Sequence, residues 1–464
     1  MATVYDVPLT PGKDDLVQDW IGVQRWYQAK GRAPRLRFLD SWRLDDPAGE
    51  VGIETRIYLD EAGPEPVTYQ VPLTYRGAPL REAADALVGE LEHPVLGHRW
   101  VYDAPHDPVY VAELLSLLRG RAQAQEGDRS DTPRPGIAGA PHPAWTDDPR
   151  PSSSQVLAGE QSNTSVVVET EHQPVIVKVF RTLSAGDNPD VTVQGALAAA
   201  RSPFVPGSVG HVAGTWSGPD GHPCDGHLAY AQEFLAGSRD AWRVVLHRIG
   251  EGVDLREEIR HLGEVTGAIH RTLAATLGTQ HASREDVAEQ VAQMRRRAGA
   301  AFAESPGLSG SEGAVGTLLD AAEEASWPAL QRIHGDYHLG QVLLVPGRGW
   351  VVIDFEGEPL RPLAERNRPD SPLRDVAGML RSLDYAAASA ELTADEAAEW
   401  VATHQEVFLD GYASAAPDPR EDAAVLRALI LDKALYEVVY EARNRPTWLP
   451  IPTRAVTRLL EENQ

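Results

Sequence analysis

Two acidic motifs lie close together in the C-terminal half of the chain. The first is the turn HGD, which exposes the carboxylate of Asp336. Gln341 follows it with an amide oxygen, and Asp354 comes directly after an apolar run. Phosphoryl transfer needs a carboxylate beside the attacking hydroxyl and oxygen ligands for one or two Mg²⁺ ions. These residue types, in this order, are therefore suited to phosphoryl transfer.

A predicted β-hairpin positions these groups. Residues 342–344 and 350–353 are apolar runs typical of paired strands, and the sequence PGRG between them is typical of a turn. The hairpin would return the chain so that Asp354 lies close to Gln341. The acids of FEGEP add carboxylates nearby, and Glu356 is a third candidate metal ligand.

The sequences HGDYHLGQVLL and VVIDFEGEP resemble the catalytic and metal loops of kinases related to the aminoglycoside phosphotransferases, which are relatives of protein kinases. This resemblance implies a bilobal α+β fold of the protein-kinase-like type, with a β-rich N-terminal lobe and a mostly helical C-terminal lobe. It implies that Asp336 is the catalytic base, that Gln341 and Asp354 hold Mg²⁺, and that ATP is the phosphoryl donor. The run DFE departs from the DFG sequence of protein kinases.

In such a fold, the upstream strand PVIVKVFR supplies a nucleotide-binding lysine. Lys178 would contact the nucleotide phosphates, and the alternative is a solvated strand lysine. Its acidic partner would be Asp190 or a more distant acid, or the pair would be absent. A predicted polar turn offers further phosphate-binding groups, from Gln161, Ser162, Asn163, Thr164 and Ser165. Three later residues resemble the kinase hinge, whose backbone meets adenine, namely Gln232, Glu233 and Phe234.

Longer segments resemble the actinobacterial maltokinases, which use ATP to convert maltose to maltose 1-phosphate. QRWYQAKGR resembles their N-terminal cap, and ERNRPDSPLRDVAGMLRSLDYA and LDKALYEVVYEARNRPTWLPIP resemble their C-terminal lobe. This resemblance covers nearly the full chain. It implies maltose as the acceptor, a role in trehalose, glycogen and α-glucan metabolism, and a trehalose synthase as a candidate partner.

Residues 421–444 are predicted to form one helix with a mixed aromatic and charged stripe. Aromatic faces stack on sugar rings and charged groups hydrogen-bond sugar hydroxyls, so the stripe is a candidate acceptor site. The candidate acceptor residues are Asp432, Lys433, Tyr436, Tyr440, Glu441 and Arg443, together with His338 beside the catalytic turn. The alternative is a salt-bridged helix surface. His334 is predicted to orient the catalytic turn, and the arginine run at 295–297 to be a solvated helix face.

The 464 residues suggest more than one domain. The predicted division is an N-terminal cap at 1–95 with a helix and a β-meander, a nucleotide-binding subdomain at 96–236 and a helical lobe at 237–464. A segment rich in Pro, Gly and Ser at 122–154 is predicted to be a linker, and its composition favours disorder.

The composition disfavours several other classes of function. The formal net charge of −25 opposes binding to nucleic acid or to an anionic membrane. No window approaches the roughly 18 consecutive apolar residues of a membrane span, and no secretory signal is recognised. The single cysteine, Cys224, fits the reducing cytoplasm.

Two rivals to maltose phosphorylation stay open. One is a glucosamine or aminoglycoside kinase of the same fold, because an acidic chain attracts a cationic acceptor. The other, from a different class, is a non-catalytic partner of a trehalose-synthase-like enzyme. The intact set of Asp336, Gln341, Asp354 and Lys178 weighs against this second rival.

Overall fold

The computed structural model describes residues 7–129, 131–159, 162–358 and 361–461. No helix among these residues combines the length and apolarity that crossing a lipid bilayer would require.

The contacts divide the chain into two compact units. Unit 1 comprises Met1–Val191 and Pro206–Ala236, and unit 2 comprises Thr192–Val205 and Gly237–Gln464. The predicted start of the helical lobe at residue 237 coincides with the second segment of unit 2. The predicted cap boundary at residue 95 lies inside unit 1.

Unit 1 is built mainly from strands. In chain order they are β1 (Leu36–Leu44), β2 (Gly52–Asp60), β3 (Val67–Arg76), β4 (Leu87–His93), β5 (Gly97–Asp103), β6 (Gln125–Glu126), β7 (Ile137–Pro141), β8 (Pro151–Val156), β9 (Asn163–Thr170), β10 (Val175–Phe180), β11 (Thr182–Leu183), β12 (Ser208–Ser217) and β13 (Pro223–Glu233). Its helices are α1 (Lys13–Ile21) and α2 (Pro108–Leu118), and α3 (Pro189–Ala199) begins in unit 1 and continues into unit 2.

These strands form two antiparallel sheets. The first has the order β4-β5-β3-β2-β1-β6, with β11 paired to β3, and the second has the order β7-β12-β13-β10-β9-β8. Helix α1 buries Val17 and Ile21 in a cluster with residues of the first sheet, because these two residues lie on one face of the helix. In β10 the valines are buried and alternate with the half-buried Ile176 and Lys178, as the sequence predicts.

The segment 122–154, predicted to be a linker, contains β6, β7 and the start of β8. β7 pairs with β12 along its whole length, from Ile137 opposite Gly214 to Pro141 opposite Gly210. Ile137 is buried, and its burial stabilises an ordered path that the polar composition of the segment does not reveal. This segment therefore contributes strands to both sheets.

Arg181 joins several elements of unit 1. Its Nη2 donates to both carboxylate oxygens of Asp103, at 2.8 and 2.6 Å, and its Nε donates to Thr164 Oγ1 at 2.7 Å. The guanidinium also lies 4.6 Å from the ring centre of Trp26. The Arg181 side chain is 0% exposed, so each polar partner replaces a lost contact with water.

Unit 2 is mainly helical. Its helices are α4 (Ala241–Gly250), α5 (Arg256–Leu277), α6 (Arg284–Glu304), α7 (Glu312–Glu324), α8 (Leu363–Arg366), α9 (Leu373–Ser389), α10 (Ala394–Ala415), α11 (Ala423–Asn444) and α12 (Pro450–Glu461). Its strands are β14 (Arg239–Asp240), β15 (Thr279–Gln280), β16 (Leu330–Gln331), β17 (Val342–Val345) and β18 (Gly349–Val352). β14, β17 and β18 form a small antiparallel sheet, and β15 pairs with β16.

Local sequence signals set several helix ends in unit 2. Ser283 and Asp286 form a reciprocal capping box at the start of α6, as their spacing predicts. Thr393 and Glu396 do the same for α10. Helix α9 is buried along nearly its whole length, including the charged Asp375 and Arg381, and the helices and loops around it pair those charges.

We expect Arg181→Met to lower the free energy of unfolding of unit 1 by about 3–5 kcal/mol, because it leaves the buried carboxylate of Asp103 without its charge partner. Chemical denaturation measures the loss. The exposed-site control Arg37→Met should change stability by less than about 0.5 kcal/mol. The double variant Arg181→Met/Asp103→Leu should recover much of the loss, and equal losses in the single and double variants would contradict the assignment.

Candidate active site

Asp375 of α9 fixes the HGD turn. One carboxylate oxygen accepts the backbone N–H of His334 at 2.8 Å, and the other accepts that of Gly335 at 2.9 Å. The first oxygen also lies 3.0 Å from Nε2 of the buried His270. Burial by itself would raise the pKa of Asp375, but the hydrogen bond and charge of His270 and the bonds from the turn lower it. Asp375 therefore braces the turn as an ionised acceptor.

His334 links this turn to the second acidic motif. Its Nε2 lies 3.0 Å from the carbonyl oxygen of Ile353, and its Nδ1 lies 3.3 Å from the backbone nitrogen of Asp336. Nδ1 must accept from the N–H of Asp336, so the ring proton is on Nε2 and donates to Ile353. The ring also packs on Phe355, with centroids 4.8 Å apart. His334 orients the turn, as predicted.

Two glycines allow this close geometry. Gly335 has φ +85°, a conformation that a residue with a Cβ adopts at a cost. A Cβ on Gly378 of α9 would lie 2.5 Å from the carbonyl oxygen of Tyr337, so glycine is what lets the helix approach the catalytic turn. Backbone shape thus adds to the hydrogen bonds of Asp375 in holding Asp336.

The β17–β18 hairpin brings Gln341 and Asp354 together, as predicted. Val342 pairs with Val352, and the N–H of Ile353 donates to the carbonyl of Gln341 at 3.0 Å. The side-chain Nε2 of Gln341 donates to Asp354 Oδ2 at 3.1 Å. Asp354 has φ +65°, which is uncommon for a residue other than glycine and strains the backbone.

This pair fits a hard divalent cation. Asp354 offers a carboxylate, and rotation of the Gln341 amide would present a carbonyl oxygen beside it, both of which are ligands that Mg²⁺ prefers. Glu356 lies two residues beyond Asp354, and its backbone carbonyl accepts from Arg366 at 2.9 Å.

Lys433 of α11 lies against the predicted base. Its Nζ is 3.2 Å from Asp336 Oδ1 and 3.3 Å from Glu358 Oε1. Burial lowers the pKa of Lys433, but attraction to Glu358 and Asp336 outweighs this and raises it. Burial likewise raises the pKa of Glu358, whereas the charges of Lys433 and Arg361 lower it to about 2. Both groups are therefore charged at neutral pH.

Asp432, the residue before Lys433, is held by two arginines. Arg297 binds both of its oxygens, at 2.6 and 2.5 Å, and Arg374 lies 3.2 Å away. The prediction of a solvated arginine run is correct for Arg295, which pairs with the exposed Asp320, but wrong for Arg297. Two residues along a helix turn the side chain to another face, and only the packing of α6 against α11 shows which face is buried.

An aromatic row leads away from Lys433 along α11. Tyr436 lies 5.1 Å from Lys433 Nζ, and its ring stacks on that of Tyr440 with centroids 6.4 Å apart. Arg445 lies over both Tyr440 and Trp448, at 5.4 and 4.9 Å from the ring centres. Tyr440 is 41% exposed, so the row offers accessible ring surface. Arg445 and Trp448 also belong to this row, although the sequence pattern did not indicate it.

Other predicted acceptor residues lie elsewhere or already have partners. Arg443 points to Glu304, with Nη2 at 2.7 Å, and is mostly exposed, so we leave it out of the acceptor site. Glu441 is buried and pairs with Arg445 at 2.6 Å. His338 accepts the N–H of Gly340 at 3.0 Å, and burial, its largest influence, lowers its pKa. The charges of Asp336 and Lys433 also act on His338, which places it near the base.

In unit 1, Lys178 is paired. Its Nζ lies 2.7 Å from Asp190 Oδ2, at the start of α3, and both side chains are largely buried. Of the alternatives that the sequence left open, the structure selects Asp190. The arrangement matches the strand-lysine and helix-acid pair of protein kinases, with aspartate in place of glutamate.

The predicted polar turn is not a turn over most of its length. Asn163, Thr164 and Ser165 begin strand β9 and are buried, and Ser165 is directly opposite Lys178 in the sheet. The Thr164 hydroxyl accepts from Arg181, so it has a structural role. Ser162 is exposed, and Gln161 lies outside the described residues. Strand β9 is made largely of the valines that follow, and it begins three residues earlier, at the polar Asn163. The sequence pattern did not show this earlier start.

The predicted hinge segment lies at the end of β13. Gln232 pairs with Ile176 and Glu233 with Val175. The N–H of Glu233 donates to Gly207 at 2.8 Å, and that of Phe234 donates to Pro174 at 3.0 Å. These two donors are engaged within the fold, so their hydrogen bonding gives no support to the predicted adenine contact.

Two family models match the chain. The model of the maltokinase N-terminal cap domain matches residues 20–107, and that of the phosphotransferase enzyme family matches residues 153–417. A glucosamine kinase of Mycolicibacterium smegmatis is 30% identical over 342 residues, which are 67% of this chain and 82% of the relative. A glucosamine kinase of Streptacidiphilus jiangxiensis is 30% identical over 51% of this chain, and the match spans 58% of that relative.

Solved structures show the same fold. A glucosamine kinase in complex with glucosamine, ADP and inorganic phosphate aligns with a TM-score of 0.66 at 21% identity, over 97% of this chain and 100% of the other. A second crystal form of a glucosamine kinase aligns with a TM-score of 0.65 at 21% identity, over 98% of this chain and 100% of the other. The predicted kinase-like α+β fold with an N-terminal cap is confirmed.

We expect Asp375→Asn to lower kcat about 10- to 100-fold with little change in KM, because the amide offers one acceptor oxygen to two backbone N–H groups and loosens the turn that holds Asp336. Steady-state kinetics and thermal unfolding measure the two effects separately. An unchanged kcat in a folded variant would contradict the bracing role.

Proposed function

Because the chain belongs to the phosphotransferase enzyme family and carries a maltokinase N-terminal cap domain, we propose that it is an ATP-dependent kinase that converts maltose to maltose 1-phosphate. The observation that carries this proposal is the aromatic row of α11, which begins beside Asp336. A disaccharide has two sugar rings, and each can stack on an aromatic side chain. The stacked rings of Tyr436 and Tyr440 give the second sugar a surface that a monosaccharide would not use.

In the proposed reaction, Asp336 accepts the proton of the acceptor hydroxyl as its oxygen attacks the γ-phosphorus of ATP. The new bond is the phosphate ester, the bond to the bridging oxygen of ADP breaks, and the proton stays on Asp336 until it passes to solvent. Lys433, Tyr436 and His338 would orient the sugar. The first two contact each other, and the charges of Asp336 and Lys433 act on His338.

The nucleotide and metal roles rest on other residues. Lys178, oriented by Asp190, would contact the phosphates, and the exposed Ser162 is a further candidate donor. Asp354 and Gln341 would hold Mg²⁺, with Glu356 as a third candidate. When bound, this ion would neutralise charge on the phosphates of ATP.

Glucosamine is the second candidate acceptor. The observation in its favour is the name of the relatives, which are glucosamine kinases at 30% identity. The alternative of a non-catalytic partner of a trehalose synthase stays a prediction, and the intact arrangement around Asp336 weighs against it.

We expect the protein with Mg²⁺ and ATP to phosphorylate maltose, and Asp336→Asn to lower kcat at least about 100-fold by removing the base. A coupled ATP-consumption assay on maltose, glucose, glucosamine and kanamycin measures this, and phosphorus NMR of the product identifies the ester position. The exposed control Asp320→Asn should keep full activity. Turnover confined to glucosamine would overturn the acceptor, and full activity of Asp336→Asn would overturn the base.

We expect Tyr440→Ala to raise KM for maltose about fivefold, because it removes about 1 kcal/mol of ring stacking, and to leave KM for glucose unchanged. Tyr440→Phe keeps the ring and should restore the KM for maltose. Equal effects of Tyr440→Ala on both sugars would show that the row does not bind a second ring.

A further inference from the structure

A small pocket beside the HGD turn, lined in part by Gly335, Glu358, Asp432, Lys433 and Tyr436, is the proposed acceptor pocket. Its charged side chains are paired with one another, in contrast to the chain as a whole, which carries a formal charge of −25. The described residues in and around it include four carboxylates and four cationic side chains. Each carboxylate forms an ion pair with at least one of these cations. The carboxylates are Asp336, Glu358, Asp370 and Asp432, and the cations are Lys433, Arg361, Arg374 and Arg297.

Each carboxylate on the pocket wall is already neutralised. Among the described lining residues the acids are Glu358 and Asp432. Glu358 has Lys433 at 3.3 Å and Arg361 at 2.8 Å, and Asp432 has Arg297 at 2.5 Å and Arg374 at 3.2 Å. A cationic sugar would therefore have to displace a protein cation to gain a counter-ion, and a buried displaced cation would be costly.

Lys433 holds the position between the two carboxylates that an acceptor ammonium would need. Its Nζ lies 3.2 Å from Asp336 and 3.3 Å from Glu358. A hydroxyl can enter here because it donates to Asp336 and accepts from Lys433 at the same time. An ammonium only donates, so it could hydrogen-bond Asp336 but could not accept from Lys433, and the two positive charges would repel each other.

We propose that Lys433 is a specificity-determining residue that excludes cationic sugars and restricts the acceptor to a neutral sugar hydroxyl. The inference rests on the proposed sugar-kinase function and deepens it. On this proposal the overall negative charge of the chain would not favour an amino sugar, because the charges where the acceptor binds are already paired.

The direct test compares glucosamine with glucose, which differ by one amine in place of one hydroxyl. The kcat/KM values for both sugars are measured for the unmodified protein, Lys433→Met, Lys433→Arg and the surface control Arg295→Met. If either sugar is not phosphorylated, the inhibition constants of both sugars against maltose turnover are compared instead. We expect the glucosamine-to-glucose ratio to rise at least tenfold in Lys433→Met. The ratio should stay unchanged in Lys433→Arg, which keeps the charge, and in Arg295→Met. An unchanged or lower ratio in Lys433→Met would overturn the proposal.

A pH series separates charge from shape. In the unmodified protein the ratio should rise as the pH passes through the pKa of the glucosamine amine, because the neutral amine can accept a hydrogen bond from Lys433. In Lys433→Met this rise should be lost. The titratable groups that act on Lys433 or its partners are Asp336, Glu358, Glu437, Tyr436 and His338, and the glucose control cancels their effect. Equal pH dependence in both proteins would overturn the proposal.

The outcomes distinguish this inference from the proposed function. If the protein phosphorylates maltose but the glucosamine-to-glucose ratio of kcat/KM is the same with and without Lys433, only the role of Lys433 is overturned. Preference of the unmodified protein for glucosamine at neutral pH overturns both. If Lys433→Met does not fold, Lys433→Gln serves in its place, because the amide also lacks the charge and retains hydrogen-bonding groups.

Discussion

A buried carboxylate must be paired within the protein, and at Asp375 this requirement organises the catalytic end of unit 2. The side chain is 1% exposed, and its oxygens are occupied by two backbone N–H groups of the HGD turn and by His270. Removing any of these partners leaves charge that water cannot solvate. The turn is therefore fixed by the same bonds that make the burial of Asp375 tolerable, and His334 extends the fixed geometry to the carbonyl of Ile353, next to Asp354.

The same requirement shapes the acceptor pocket. Asp432 is 2% exposed and could not lie there without Arg297 and Arg374, and these arginines in turn place α6 and α9 against α11. Pairing of this kind contributes little net stability but strongly penalises the loss of one partner. These ion pairs therefore determine which faces of the helices pack together, and they add little to the free energy of packing. Lys433 connects this network to the predicted base, because its partners include Asp336.

The sequence was sufficient to predict the parts of the site that local spacing controls. The hairpin that joins Gln341 to Asp354, the capped start of α6, the single helix through Tyr436 and the alternation around Lys178 follow from periodicity and turn residues. What escaped prediction depends on long-range packing. The buried partner of Arg297 is apparent only once α6 packs against α11, and Ile137 lies in a polar segment whose pairing with β12 no local pattern indicates. Likewise, Asn163 and Thr164 are polar and therefore look like turn residues, and only their pairing with β10 and the bond from Arg181 to Thr164 show that they belong to a strand.

The division of labour between α9 and α11 has an evolutionary consequence. Helix α9 supplies Asp375 and Gly378, which shape the reacting turn, whereas α11 supplies Tyr436 and Tyr440, which lie along the route away from it. Substitutions on the outer face of α11 can therefore accumulate without disturbing the chemistry. If Tyr436 and Tyr440 bind the acceptor as proposed, a lineage with this scaffold would change the sugar it uses through substitutions on a single helix, and relatives with similar folds would diverge first in acceptor preference.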